Sequence, residues 1–193
     1  DRGARILSDC AHAIRAAVDL PLQAQCEPPG DDLWHHRMKE AGIDSLGMHL
    51  EVVNPVLRKK IMPGKSEVSL DRYFESFSVA VDVFGWGQVS TYILAGLGDS
   101  AEEILEICDK LTSIGVYPFV VPFVPVSGTP LESHKPPSPD FMRSVLGPLA
   151  EMILEAGMSS DKIKAGCGKC GACSALSAFE RIKILSNQKA MAC

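Results

Sequence analysis

Two groups of residues have the types and spacing for chemistry. Cys167, Cys170 and Cys173 form C-x-x-C-x-x-C within Gly166-Cys-Gly-Lys-Cys-Gly-Ala-Cys. Thiolates at this spacing ligate iron–sulfur clusters or zinc, and the glycines let backbone amides turn toward sulfur. Both usually need a fourth ligand. Cys193 can supply one, although a terminal cysteine can equally sit in a frayed end. The expectation is metal at these four cysteines, with an auxiliary iron–sulfur cluster preferred to structural zinc. The second group is dispersed: Gln25, Cys26 and Glu27; His49 and Glu51; Gly96 and Gly98; Val124 and Ser127-Gly128-Thr129-Pro130. It becomes a site only if the fold collects it.

The elements supply the reason it would. Residues 4–18 carry Ile6, Leu7, Ala11, Ile14 and Val18 at helical spacing, and Pro21 stops them. Short strands are expected over 22–26 and 45–51, the second after a helix over 32–41. Asn54-Pro55 opens another helix with a cap and a proline at the first position. A long helix over 70–84 places Tyr73, Phe74, Phe77, Val81 and Phe84 on one face, which reads as core packing. The β-branched run 89–94 is the clearest strand. A helix over 101–114, a strand over 116–123 and a helix over 139–156 follow, then the cysteines and a last helix over 175–186.

Strict strand–helix alternation argues for parallel strands with helical crossovers. In such sheets and barrels ligands bind at the carboxyl ends of the strands. Each dispersed residue stands at one of those ends. Simpler roles compete: Gly96-Leu97-Gly98 serves any tight turn, Glu51 can pair with Arg58, and Cys26 can be a small buried hydrophobe. His49 and Glu51, two apart, should share a face if the strand continues through both.

The 193 residues are 46% hydrophobic and 22% charged, which fits a folded domain. A net charge of −5 argues against a dedicated nucleic-acid binder. No basic-then-apolar leader opens the chain and no 18-residue apolar run occurs. Seven cysteines, an odd number, do not read as a secreted disulfide framework, so a reducing cytoplasmic setting is expected. A chain that starts at Asp1 without a methionine looks cut from something longer.

At the strand ends the sequence resembles a known family. The run Tyr92-Ile93-Leu94-Ala95-Gly96-Leu97-Gly98-Asp99-Ser100, then Gly115-Val116, then Pro122-Phe123-Val124-Pro125-Val126-Ser127-Gly128-Thr129-Pro130-Leu131, resembles the later half of a radical S-adenosylmethionine (radical SAM) enzyme of the biotin synthase branch. Closer still is an uncharacterised radical SAM family encoded beside nitrilase genes. The shared runs are Gln25-Cys26-Glu27-Pro28-Pro29, Leu46-Gly47-Met48-His49-Leu50-Glu51, Pro63-Gly64-Lys65 and Cys167 to Cys173.

The resemblance implies an α/β fold: about four strands of a six-stranded parallel (βα) partial barrel over 1–158, with a cysteine-rich metal-binding tail over 159–193. It implies that Glu51 binds the ribose hydroxyls of S-adenosylmethionine and that His49 contacts the cofactor. Arg72 would clamp the methionyl carboxylate, with Arg58 and Lys65 as rivals. Gly96, Leu97 and Gly98 would pass close to the cofactor, with Val124 against the adenine. Gln25, Glu27 and Thr129 are candidates to face a small-molecule substrate, from strand-end position only. It also implies a [4Fe–4S] cluster, a 5′-deoxyadenosyl radical that abstracts hydrogen, and an electron donor such as flavodoxin or ferredoxin.

Departures set limits. The cluster motif C-x-x-x-C-x-x-C is absent, so its ligands are expected upstream and this chain by itself is expected to be inactive. Ser90 stands where the second cluster of biotin synthase would need a cysteine, so that cluster is not expected. An aldolase-type lyase would need a strand-end lysine, which none of the four strands offers. A zinc-binding interaction module on a βα scaffold is the other alternative. An unpaired first edge strand would favour self-association.

Overall fold

A computed structural model describes residues 1–191, with side chains through Lys189. Four parallel strands form one sheet in sequential order: β1 (Gln23–Gln25), β2 (Ser45–Gly47), β3 (Val89–Ala95) and β4 (Val116–Pro122). Helix α1 (Ala4–Ala17) precedes them. Helix α2 (Leu33–Glu40) joins β1 to β2, α3 (Pro55–Ile61) and α4 (Leu70–Phe84) join β2 to β3, and α5 (Ala101–Ser113) joins β3 to β4. Helices α6 (Pro139–Glu155), α7 (Cys167–Cys170) and α8 (Leu176–Met191) follow. The α/β architecture is the expected one, because each parallel step requires a crossover and a helix is the compact way to make it.

Local chemistry sets the helix starts. Side-chain oxygens of Asn54, Ser69, Ser100 and Ser138 accept backbone N–H bonds at the N-termini of α3, α4, α5 and α6. Ser100 and Glu103 complete a reciprocal capping box. Tyr73, Phe77 and Phe84 of α4 are buried, so the aromatic stripe is core, as its spacing predicts. Leu46, Val89, Ile93 and Val120 lie in the same core with Ile104, Leu111 and Leu149. Each such side chain gains about 2 kcal/mol from leaving water.

The other face of the sheet is different. Register aligns Gln25, Gly47, Ser90 and Tyr117 in one row, and Tyr92 with Phe119 in the next. The segment after Ser159 crosses this face. Gln88 Nε2 donates to the Lys162 carbonyl at 3.0 Å, Lys164 N donates back to Gln88 Oε1 at 3.0 Å, and Ser174 Oγ donates to the Val120 carbonyl at 2.6 Å. The Glu180 carboxylate, 1% exposed, accepts from Tyr117 Oη at 2.6 Å and from Ser160 N and Oγ at 2.9 and 2.7 Å. Leu176 is fully buried. The cysteine-rich tail therefore shares the core of the strands it follows.

Three elements differ from the sequence reading. Strand β2 stops at Gly47 rather than running to Glu51, the last helix continues to Met191, and Cys167–Cys170 forms a helical turn of its own. Among the described residues no helix is long and apolar enough to cross a membrane.

Candidate functional site at the carboxyl ends of the strands

Beyond Gly47, side chains replace the ladder between β2 and β3. Leu50 N donates to Thr91 Oγ1 at 2.9 Å, and Tyr92 N donates to His49 Nδ1 at 3.1 Å. Pairing then resumes for one residue: Glu51 N donates to the Tyr92 carbonyl at 2.8 Å and Leu94 N to the Glu51 carbonyl at 2.7 Å. Glu51 is held there with φ of 66°, a left-handed conformation that a non-glycine residue adopts at a cost of about 1 kcal/mol or more. Simple alternation therefore does not place Glu51. A kink fixed from both sides by β3 does.

Lys65 lies beside it. Its Nζ is 2.9 Å from Glu51 Oε1 and 3.4 Å from Glu27 Oε1. Glu27 Oε2 also accepts the phenol proton of Tyr73, whose pKa is pushed up by burial and by that carboxylate. Arg58 is buried beneath this group. Its guanidinium donates to the Leu50 and Lys65 carbonyls and stacks 5.0 Å above the Tyr73 ring. Arg58 thus secures the backbone on both sides of the Glu51–Lys65 pair.

His49 completes this end. Its ring packs edge-on against Tyr92 at 4.7 Å, and a side chain at Gly47 would come within 2.8 Å of its Cε1. Since Nδ1 accepts from Tyr92 N, the neutral ring carries its proton on Nε2. That Nε2 is buried and has no partner in the protein. Burial, with Lys65 nearby, lowers the His49 pKa to about 4. The result is a neutral donor beside a carboxylate–ammonium pair, a donor set suited to hydroxyls and a carboxylate on one ligand.

At the end of β3 the expected residues meet protein instead, while those at the end of β4 face a cavity. Gly96 and Gly98 have φ of 102° and 119°, as a sharp strand-to-helix turn requires. A Cβ at Gly96 would sit 2.7 Å from Pro137, and one at Gly98 would sit 3.0 Å from Leu57. Leu97 is buried. Asp99 accepts from Val53 N at 3.1 Å and Asn54 N at 2.8 Å, tying this turn to the start of α3. Val124 is exposed and, with Ile61, Phe123 and Leu131, lines an apolar-walled cavity of about 340 Å³. Thr129 borders the same cavity and donates its hydroxyl to the Val126 carbonyl at 2.7 Å.

Arg72 is engaged elsewhere. Its guanidinium binds Asp32 at 2.6 and 3.1 Å and the Pro29 carbonyl at 2.7 Å. Of the three cations considered from the sequence, only Lys65 stands beside Glu51. Gln25 flanks Gly47 together with His49, its Cγ 3.2 Å from where a Cβ there would sit, and its amide donates to Gln23 Oε1 at 3.4 Å. Cys26 is a half-buried thiol whose pKa burial pushes up to about 12, which fits packing rather than reactivity. Helical spacing marks Tyr73 only as core, because nothing in that spacing reveals which buried phenol meets a carboxylate.

In the tail, Cys167 is half-buried and Cys170 and Cys173 are exposed. Among the described residues no three His, Cys, Asp or Glu side chains are gathered closely enough to hold one metal ion. Cys193 lies outside the described residues.

No family model matches the chain. It is 31% identical over 139 residues to bacteriochlorophyllide c C-7(1)-hydroxylase of Chlorobaculum limnaeum, covering 71% of this chain and 34% of that protein. It is 30% identical over 114 residues to an uncharacterised protein of Methanocaldococcus jannaschii, covering 54% of this chain and 28% of that one. The chain thus spans about a third of the curated relatives it matches. Among solved structures, methylornithine synthase superposes with a TM-score of 0.64 at 18% identity, over 91% of this chain and 50% of that one. Coproporphyrinogen III oxidase from Escherichia coli, described as a radical SAM enzyme, superposes with a TM-score of 0.56 at 13% identity, over 80% and 37%. The four parallel strands and their crossover helices therefore have the fold of part of the barrel in these enzymes.

Proposed function

We propose that this chain is the S-adenosylmethionine-binding part of a radical SAM enzyme that acts on a small molecule, of the biotin synthase-like branch. The observation that carries the reading is the end of β2. Glu51 is locked in a left-handed conformation 2.9 Å from Lys65, with the unpartnered His49 Nε2 at the same end.

The donor set fits the cofactor. Glu51 accepts from the two ribose hydroxyls. Lys65 leaves its carboxylate partners to pair with the methionyl carboxylate, the role the resemblance gave to Arg72. His49 Nε2 donates to a polar atom between them. The cavity beside Val124 takes the adenine, and Gly96 backs it through His134, which contacts the Gly96 carbonyl and packs against Phe123, rather than touching it. Gln25, Glu27 and Thr129 are the candidates to face the substrate, from their strand-end positions. Backbone fixation by β3 and by Arg58 keeps these groups in place before the ligand arrives, which lowers the cost of ordering them.

The cofactor's chemistry, with a reduced [4Fe–4S] cluster, is to supply a 5′-deoxyadenosyl radical that abstracts hydrogen from substrate. No C-x-x-x-C-x-x-C run occurs in these 193 residues, so they do not fit the role of holding that cluster. This chain is read as the later part of the barrel of a longer, cytoplasmic enzyme that takes electrons from a flavodoxin- or ferredoxin-like donor. By itself it binds the cofactor without turning it over.

Calorimetric titration of the 193-residue chain with S-adenosylmethionine tests the assignment. Binding should weaken when the ligand lacks its carboxylate, and Lys65→Ala should erase that difference between ligands. Equal binding of the two ligands by the unaltered chain would remove Lys65 from the site. No binding at all would overturn the reading.

A further inference from the structure

The tail cysteines are not absorbed by the site above, and their position is informative. Helix α7 sets Cys167 and Cys170 three residues apart, on neighbouring positions of one turn. The turn lies on the sheet face opposite the helical core. The backbone of Gly168 rests against the ring of Tyr117, that of Gly166 against the carboxamide of Gln23, and Ser174 Oγ donates to the Val120 carbonyl at 2.6 Å. Between β1 and β4 on that face stands Tyr92. Its phenol lies beside the thiols of Cys167 and Cys173, and its ring is packed against His49. Three thiols at a metal-ligand spacing are thus carried over the strands and left at the boundary of core and solvent.

We propose that Cys167, Cys170 and Cys173 hold an iron–sulfur cluster on this face of the sheet, beside Tyr92 and one ring away from His49. A cluster fits better than zinc. A structural zinc ion takes four protein donors, and the described part of the tail offers three thiols. A cluster offers each thiolate a different iron and so accepts more widely spaced sulfurs. Exposure of Cys170 and Cys173 gives iron and sulfide a way in. Donation from the Tyr92 hydroxyl to a cluster thiolate would be the kind of outer contact that raises a cluster's reduction potential. The inference stands apart from S-adenosylmethionine binding, because this chain has no other run of cysteines at ligand spacing.

The test is anaerobic reconstitution of the 193-residue chain with ferrous iron and sulfide, followed by iron and acid-labile sulfide analysis and electron paramagnetic resonance of the reduced sample. Iron and sulfide should be retained in equal amounts. Cys170→Ser and Cys173→Ser, both at exposed positions, should lose most of them with unchanged circular dichroism, while Cys10→Ser keeps them. Tyr92→Phe should keep the cluster but lower its potential. Iron retained by a Cys167/Cys170/Cys173→Ser variant would overturn the proposal. So would stoichiometric zinc uptake with no iron and sulfide retained, or no metal uptake at all. An unchanged potential in Tyr92→Phe would overturn the placement beside Tyr92. Failure here would leave calorimetric binding of S-adenosylmethionine intact, so the two readings fail separately.

Discussion

The carboxyl ends of β2 and β3 are neighbours built on opposite principles. β3 runs for seven residues and ends in a glycine turn, and the protein fills the space around that turn with Pro137 and Leu57. β2 runs for three and gives way to a segment in which side chains do the work of the ladder. The first end is closed, and its Asp99 carboxylate is satisfied by the Val53 and Asn54 backbone. The second keeps a carboxylate at positive φ, an ammonium and an unpartnered ring nitrogen. Burying polar groups without partners is costly. A fold that retains them at one strand end, and covers the next with a proline, separates a ligand-facing end from a supporting one.

The sharpest way to break this contrast is to remove charge at the β2 end. Glu51→Ala or Lys65→Ala should weaken S-adenosylmethionine binding by roughly 30- to 100-fold, about 2–3 kcal/mol, as expected for a charge-assisted contact. If the melting temperature falls instead and binding holds, the pair is structural. At the β3 end the expectation reverses. Gly96→Ala forces a Cβ into positive φ against Pro137, and should lower folding stability by about 2 kcal/mol in denaturant titration.

Acid should act on the β2 end next. His49 has a folded pKa lowered to about 4, and burial lowers that of His35 to about 4 as well. Depressed histidine values mean that the unfolded chain takes up protons first. The contribution is fully present above about pH 6.5 and is lost as pH falls toward 4, at about 1 kcal/mol per pH unit for each ring. His49→Gln should flatten part of that slope in urea midpoints measured from pH 7 to 5. An unchanged slope would mean that His49 is not buried as a neutral ring.

Two smaller effects sharpen the comparison. Glu51→Gly should relieve the left-handed strain and raise stability by about 1 kcal/mol while losing ligand, a trade that no substitution at Gly98 can show. Among the described residues no strand pairs with the far side of β1. Weak association through that three-residue edge is expected, visible as a concentration-dependent sedimentation coefficient. A coefficient independent of concentration would count against it.

Much of this protein is written locally. Helix starts at Asn54-Pro55, Ser100 and Ser138-Pro139, the β-branched run of β3 and the α4 stripe all rest on side chains within a turn or two of one another. Spacing suffices for these, and the strand–helix alternation then dictates parallel topology. The candidate site was legible only in part. Glu51 and His49 could be named from the strand end on which they stand, but the continuous strand that would place them together ends at Gly47. Lys65 could be named only as one of three cations.

What the tertiary structure decided was which distant groups meet. Arg72 faces Asp32, 40 residues away, while Lys65 reaches Glu51 across 14. Tyr73 reaches Glu27 across 46. The tail crosses the sheet face to Tyr117 and Tyr92 instead of standing clear of it. Periodicity reports the faces of single elements, whose geometry is set by neighbours in the chain. Pairings between elements depend on how their buried surfaces register against one another. Only packing decides those, and the polar contacts at the strand ends follow from it.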